Sequence, residues 1–296
     1  MKRVVFASGK GGTGKTTLTA LVAREMAAVV PLVLADCDVE AANLPIALAA
    51  REIECEPFAG ASSAAIDAAA CRGCGACVPV CRFDAVGTAD GFPRVRAFEI
   101  DRWACEGCGA CVPACPFGAI TMQPSQAGEV CHARTDVGSM TFGRLAPGED
   151  LSGKLVTEVR GRADALADRD SAGLMLIDGP PGVGCPAIAA ITNTDLLIAV
   201  TEPTLSGEHD LLRLLTLARH LRVPVGVVLN KADLSNTGAE RMRARVQDEG
   251  LGLIAEVPYD TGVARAFIAP EASTEGIAPA SAAAVAAVVR WVTERI

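Results

Sequence analysis

Aromatic side chains are scarce in this chain: eight Phe, two Trp and one Tyr among 296 residues, 4% of the total. A core built from it must rest on Ala, Val, Leu and Ile. Basic residues are scarce as well, 27 Lys and Arg against 35 Asp and Glu, and the net charge of −8 argues against general nucleic-acid binding by a basic surface. No long hydrophobic run is present. The uncharged stretch from Gly276 to Val289 is too short and too rich in Ala to cross a bilayer, so no stable membrane insertion is expected. Met1 to Ala7 leads directly into a glycine-rich loop and reads as a first strand, not a signal peptide, which gives a cytoplasmic expectation. What the chain does have is 50% hydrophobic residues, 29 Gly and 12 Cys. That apolar content supplies a packed core and excludes disorder as the main state. In a reducing compartment so many cysteines point to metal or cluster ligation, because structural disulfides are disfavoured there. Cys37 and Cys55 then read as small buried residues.

Short apolar runs at Val4–Ala7, Leu32–Ala35, Leu174–Ile177, Leu196–Val200 and Val225–Leu229 read as buried parallel strands. Helical patterns over Thr16–Val29, Gly207–Leu221, Ala239–Glu249 and Ser281–Arg295 lie between or after them. The alternation predicts an α/β fold with a doubly wound, mostly parallel sheet. It stops between Glu56 and Pro124, where an internal repeat appears. Cys71–Val86 aligns with Cys105–Ile120 at an offset of 34 residues, with 11 of 16 positions identical. A duplication of this kind is a structural unit. The expected organisation is residues 1–60 and 126–296 as one α/β domain, with residues 61–125 inserted as a small pseudo-symmetric module.

Gly9-Lys10-Gly11-Gly12-Thr13-Gly14-Lys15-Thr16 fits the pattern G-x-x-x-x-G-K-[ST], and it follows a predicted strand and opens a predicted helix. Glycines at these positions let successive backbone N–H groups wrap phosphates, aided by the positive helix N-terminus. Gly11 to Gly14, Lys15, Thr16 and Thr17 are therefore the expected nucleotide-binding residues. Lys15 is placed to reach the β- and γ-phosphates and Thr16 to ligate Mg²⁺. The loop with its second lysine, Lys10, resembles the deviant Walker A loop of the MinD/ParA and nitrogenase-reductase ATPases. That resemblance implies an ATP-dependent homodimer in which Lys10 reaches the nucleotide of the facing subunit. Two further stretches fit the same family. Val33-Leu-Ala-Asp36-Cys-Asp38 resembles its first switch, implying that Asp36 assists the Mg²⁺ shell and Asp38 polarises the attacking water. Leu174-Met-Leu-Ile-Asp178 resembles a Walker B strand, implying that Asp178 holds Mg²⁺ through water. Lys10, Lys15 and Asp38 form the expected catalytic set. Asn230-Lys231-Ala232-Asp233 at a strand end reads as a purine contact: taken alone it suggests guanine, whereas the resemblance favours adenine, held by Asn230 and Pro258.

Cys71, Cys74, Cys77 and Cys81 follow C-x₂-C-x₂-C-x₃-C, and Cys105, Cys108, Cys111 and Cys115 repeat it. Zinc ribbons use separated Cys pairs, so the compact run is poor for zinc. The spacing is that of bacterial ferredoxins, in which the fourth Cys ligates the other cluster. It implies one 4Fe–4S cluster on Cys71, Cys74, Cys77 and Cys115, and a second on Cys105, Cys108, Cys111 and Cys81. The first motif departs from the pattern in ending Cys81-Arg82, where the second ends Cys115-Pro116. Cys131-His132 has no matching ligand pair nearby and reads as structural, and Cys185 lies in the loop after Asp178, where nitrogenase reductase carries a cluster ligand.

The whole chain thus resembles MinD-type P-loop ATPases with an inserted two-cluster ferredoxin domain. The resemblance implies an ATPase that couples a dimer switch to electron transfer toward a partner redox or metal-cluster protein. The alternative is an ATP-gated scaffold or carrier for metal-cluster assembly.

Overall fold

The computed structural model describes residues 1–88, 97–268 and 276–296. Its strands in chain order are β1 (Lys2–Ser8), β2 (Leu32–Asp36), β3 (Arg51–Ile66), β4 (Val86–Thr88), β5 (Phe98–Ile100), β6 (Ile120–Thr135), β7 (Gly138–Leu145), β8 (Leu174–Pro181), β9 (Leu196–Thr201), β10 (Val225–Asn230) and β11 (Leu253–Val257). Nine of them form one sheet in the order β11-β10-β9-β1-β8-β2-β7-β6-β3, and β4 and β5 pair separately as an antiparallel ribbon. The run from β11 through β7 is parallel. The five apolar runs legible in the sequence are all strands of this parallel part.

Its two faces are covered by helices, as a parallel sheet requires. On one face the helices Lys15–Ala27 and Pro279–Thr293 bury Leu18, Val22, Met26, Val285, Val288 and Val292 against Phe6, Leu34, Phe142 and Leu176. On β7, β2 and β8 lies Ser152–Asp170, whose Leu155, Val156 and Val159 are fully buried. The largest fully buried side chains include only two aromatics, Phe6 and Phe142, the rest being Leu, Ile and Met. That is the core the composition required. No helix among the described residues is long and apolar enough to cross a membrane.

The chain divides into two compact units. The first is Met1–Glu56, Val130–Leu145 and Ser152–Ile296; the second is Pro57–Glu129 and Ala146–Leu151. Ala146–Leu151, assigned from sequence to the α/β domain, clusters with the second unit instead. Ala146 N donates to Ala127 O at 2.9 Å, and the Cα of Gly148 faces the Trp103 ring so closely that a Cβ would lie 3.1 Å from it.

Within the second unit the duplication is visible in the backbone. The 34-residue offset carries Ala64–Ile66 of β3 onto β5, and β4 onto Ile120–Met122 of β6. Gly73 and Gly75 have φ of 65° and 72°, and their counterparts Gly107 and Gly109 have 66° and 70°. Asp84 takes φ 50° where its counterpart Gly118 takes 62°. Asp tolerates this left-handed conformation better than most side chains, which explains the one polar-for-glycine exchange in the repeat. Ile66, Ile100, Val86 and Ile120 pack with Ala64, Cys77 and Cys111 into the unit's own small core.

One expectation fails. Cys55 is exposed on β3, not buried, and it is bonded to Cys131 on β6 as a disulfide with Cα atoms 4.0 Å apart. Adjacent strands bring the two residues together across 76 positions of sequence. The remaining ten cysteines are free.

Candidate functional site

The sheet register places the charged residues. Asp36, last in β2, lies opposite Asp178 of β8, and Phe6 of β1 lies opposite Asp178 on the other side. Three carboxyl-terminal strand ends thus converge beside the loop that follows β1, which is where open α/β sheets bind ligands. The loop turns into the helix Lys15–Ala27 at Gly14, whose φ of 88° suits glycine alone and whose Cα is so near Asn230 that a Cβ would lie 2.2 Å from Nδ2. The backbone conformation favours glycine here, and any side chain would also have to displace the Asn230 amide.

Lys15 is 6% exposed and its ammonium donates to Asp178 Oδ1 at 2.8 Å, with Asp38 Oδ2 at 3.8 Å. Burial works against the ammonium, but Asp178, then Asp36 and Asp38, outweigh it and raise the lysine above its ordinary range. Thr19, which the sequence reading did not single out, donates to the same Asp178 oxygen at 3.3 Å. Its signal was there in hindsight: it lies one helical turn after Lys15 and also donates to the Lys15 carbonyl. Asp36 is fully buried and accepts backbone N–H groups from Asp38 at 3.0 Å and Leu44 at 2.9 Å, so it shapes the loop that carries Asp38. Burial and the Asp178 charge push the Asp36 carboxyl up. Burial also pushes Asp38 up, to about 6, against the pull of Lys15. Two buried oxygens in this cluster, Asp178 Oδ2 and Thr13 Oγ1, have no hydrogen-bond partner among the described residues. Buried polar atoms are seldom left so. An orphaned carboxylate oxygen, beside a hydroxyl and an ammonium at a helix N-terminus, suits a cation-bound phosphate.

Lys10 is not part of this cluster. It ion-pairs with Glu202 and donates to Ser206 Oγ at 3.1 Å and Thr204 Oγ1 at 3.4 Å. Asn230 Nδ2 donates to Thr13 O at 2.7 Å, which joins the end of β10 to the loop. Asp233 accepts the Tyr259 backbone N–H at 2.6 Å and so ties the half-buried Pro258 segment to the Asn230 turn. Its carboxylate is a brace between loops.

In the second unit the eight repeat cysteines line two cavities, of about 300 and 330 Å³ with their open mouths included. Cys71, Cys74, Cys77 and Cys115 line the first, with Phe98 and Ile120; Cys105, Cys108, Cys111 and Cys81 line the second, with Ala64 and Val86. Burial pushes the Cys77 thiol up, and Cys71, Cys74 and Cys115 add to it; Cys111 is raised in the same way by burial, Cys105, Cys108 and Cys81. Ala119 N donates to Cys115 Sγ at 3.4 Å. Cys185 and Cys37 line neither cavity, the first exposed and the second fully buried with its thiol pushed up by burial.

Comparison with known proteins agrees with this geometry. Residues 4–269 match the CbiA family, the CobQ/CobB/MinD/ParA nucleotide binding domain. The chain belongs to that family. It is 32% identical to the protein MJ0578 of Methanocaldococcus jannaschii over 234 residues, 79% of each chain, and 25% identical to MJ0579 of the same organism over 90% of this chain and 89% of that one. Among solved structures, the septum site-determining protein MinD of Pyrococcus horikoshii with Mg-ADP aligns over 98% of this chain and 95% of its own, at TM-score 0.60 and 16% identity. The cell division ATPase MinD of Pyrococcus furiosus aligns over 99% of both chains at TM-score 0.57 and 17% identity. These likenesses show the MinD-like fold of this family member.

The Lys15 cluster yields a stability prediction. Lys15→Ala leaves three buried or half-buried carboxyls without their cation and should cost the nucleotide-free protein about 3–5 kcal/mol at neutral pH, read by urea unfolding. Asp36 and Asp38 have folded pKa values above their unfolded ones, so their ionised forms oppose folding above those values. Lys15 lowers the Asp38 pKa, so without it Asp38 takes up its proton above about 6, and the deficit should shrink as the pH is lowered toward that value. A deficit independent of pH would contradict the electrostatic account.

Proposed function

We propose that this chain is a MinD-type ATPase that couples an ATP-dependent homodimer switch to electron transfer through two 4Fe–4S clusters, toward a partner redox or metal-cluster protein. The observation that carries the reading is the sorting of the eight repeat cysteines into two four-thiol cavities, each with three cysteines of one repeat and the fourth of the other. Four sulfur donors gathered round one cavity make the kind of ligand set that cluster iron takes. Cys71, Cys74, Cys77 and Cys115 would hold one cluster and Cys105, Cys108, Cys111 and Cys81 the other. When bound, such clusters supply one-electron transfer. The chain itself contributes an apolar wall over each site, with the Ala119 N–H directed at one sulfur.

For the nucleotide, the reading assigns Gly11, Gly12, Thr13, Gly14, Lys15, Thr16 and Thr17 to the phosphates, and Thr16, Asp36 and Asp178 to Mg²⁺. The Mg-ADP found with MinD of Pyrococcus horikoshii supports the choice of ligand. Adenine is favoured over guanine by the family resemblance, with Asn230 and Pro258 assigned to the base and one Asp233 oxygen accepting the Tyr259 N–H. Asp38 orients and deprotonates the attacking water. With its carboxyl pushed up only to about 6, it is ionised at neutral pH and still close to the pH at which it works. Lys10 acts across the dimer on the facing nucleotide.

Two measurements test this function. Anaerobically purified protein should carry about eight iron and eight sulfide per chain. Cys81→Ala should remove the cluster of Cys105, Cys108 and Cys111 and spare the one whose motif it belongs to. Zinc without sulfide, or loss of the cluster on Cys71, Cys74 and Cys77, would contradict the assignment. Asp38→Asn should bind ATP yet hydrolyse it about 10²–10⁴-fold more slowly, so that a dimer accumulates in light scattering. Wild-type turnover should fall as the pH drops below about 6. Undiminished hydrolysis in Asp38→Asn would remove Asp38 from the chemistry.

A further inference from the structure

The contacts of Lys10 all lie within its own chain. An ammonium has three N–H donors. Here Glu202, Ser206 and Thr204 take all three. These acceptors are rigidly placed. Glu202 directly follows β9, and Thr201 before it donates its hydroxyl to Gly207 O at 3.1 Å. Thr204 caps the helix Leu205–Leu221, accepting the Gly207 N–H at 3.0 Å. Glu202 holds a second cation as well: Lys231 Nζ lies 3.2 Å from its Oε2 and donates to Gly12 O at 2.8 Å. Burial opposes the ionised form of Glu202, but Lys10 and Lys231 outweigh it and keep the carboxyl below its usual range.

We infer that Glu202 is a positioning residue that stores Lys10 within its own subunit and so sets the threshold for dimer closure. Lys10 has no donor left for a phosphate across the interface until the Glu202 pair opens. When it opens, Glu202 keeps Lys231, and with it the tie to the Gly12 carbonyl, so the carboxylate is not left unpaired. The inference rests on the reading of Lys10 as the residue that acts across the dimer. It adds the residue that opposes this action and the energy that must be overcome.

The test uses Glu202→Gln, which keeps the side-chain shape and loses the charge, in the full chain. The first readout is trace acylation of Lys10 in nucleotide-free protein by an amine-reactive ester, located by mass spectrometry. The second is the dimer fraction by light scattering across a MgATP titration. Charge-assisted hydrogen bonds are about twice as strong as neutral ones, so Lys10 should acylate several-fold faster in Glu202→Gln and the dimer should form at about tenfold lower protein concentration. Ser206→Ala, at an exposed hydroxyl, should raise the acylation rate by a smaller factor. Unchanged Lys10 reactivity in Glu202→Gln overturns the storage. Raised reactivity with unchanged dimerisation, in a wild type that does dimerise, overturns the threshold alone. A wild type that stays monomeric at saturating MgATP overturns the dimer reading and the threshold with it, and the acylation rates then report the storage by itself.

Discussion

A buried ammonium among three carboxyls organises this protein. Lys15, nearly inaccessible, is held at 2.8 Å by Asp178 and faces Asp38, with Asp36 adding its charge. One cation cannot neutralise three carboxylates, and taking charge out of water is costly unless it is paired. The arrangement persists because the sheet register places β2 and β8 side by side and the backbone N–H groups of Asp38 and Leu44 satisfy Asp36. What remains is an unmet demand: more buried carboxyl groups than cations and an orphaned Asp178 oxygen, which a divalent cation with its phosphates would meet. Gly14, Asn230 and Lys231 then read as the frame that keeps the loop open around that demand.

The second unit solves a similar problem twice. Each repeat offers three thiols from one motif and borrows the fourth, so neither half can complete its cavity alone. That dependence explains why the motifs stay together as a pair within a unit whose own apolar core is small. The copies are not identical. Phe98 closes one cavity where Ala64 stands at the other, and Arg82 replaces the proline found at position 116. Two groups held there would differ in how far solvent reaches them.

The parallel sheet was legible because its strands are buried on both faces and read as continuous apolar runs. The clustering of Lys15, Asp36, Asp38 and Asp178 was legible because each lies beside such a run. The long strands β3 and β6 were not. Arg51 to Pro57 is exposed throughout, so no alternation marks it, and Pro124 with Gly128 punctuate β6 as if it were a loop. The Cys55–Cys131 disulfide depends on that unseen pairing. Sequence alone could not supply the partner of Lys10 either, since Glu202 lies on the far side of the chain and one acidic residue among many carries no local signal. By contrast, the grouping of the cysteines that line each cavity follows the order that the repeat spacing implies.

The central claim of the proposed function is that nucleotide in the first unit alters the two clusters proposed for the second. Anaerobic redox titration of the purified holoprotein, followed by electron paramagnetic resonance with and without MgATP, tests it most directly. The account predicts two one-electron signals, at least one of which changes its midpoint potential or line shape with MgATP in wild type but not in Lys15→Ala. Two signals that are identical in potential and shape with and without MgATP, in protein that demonstrably binds the nucleotide, would contradict it.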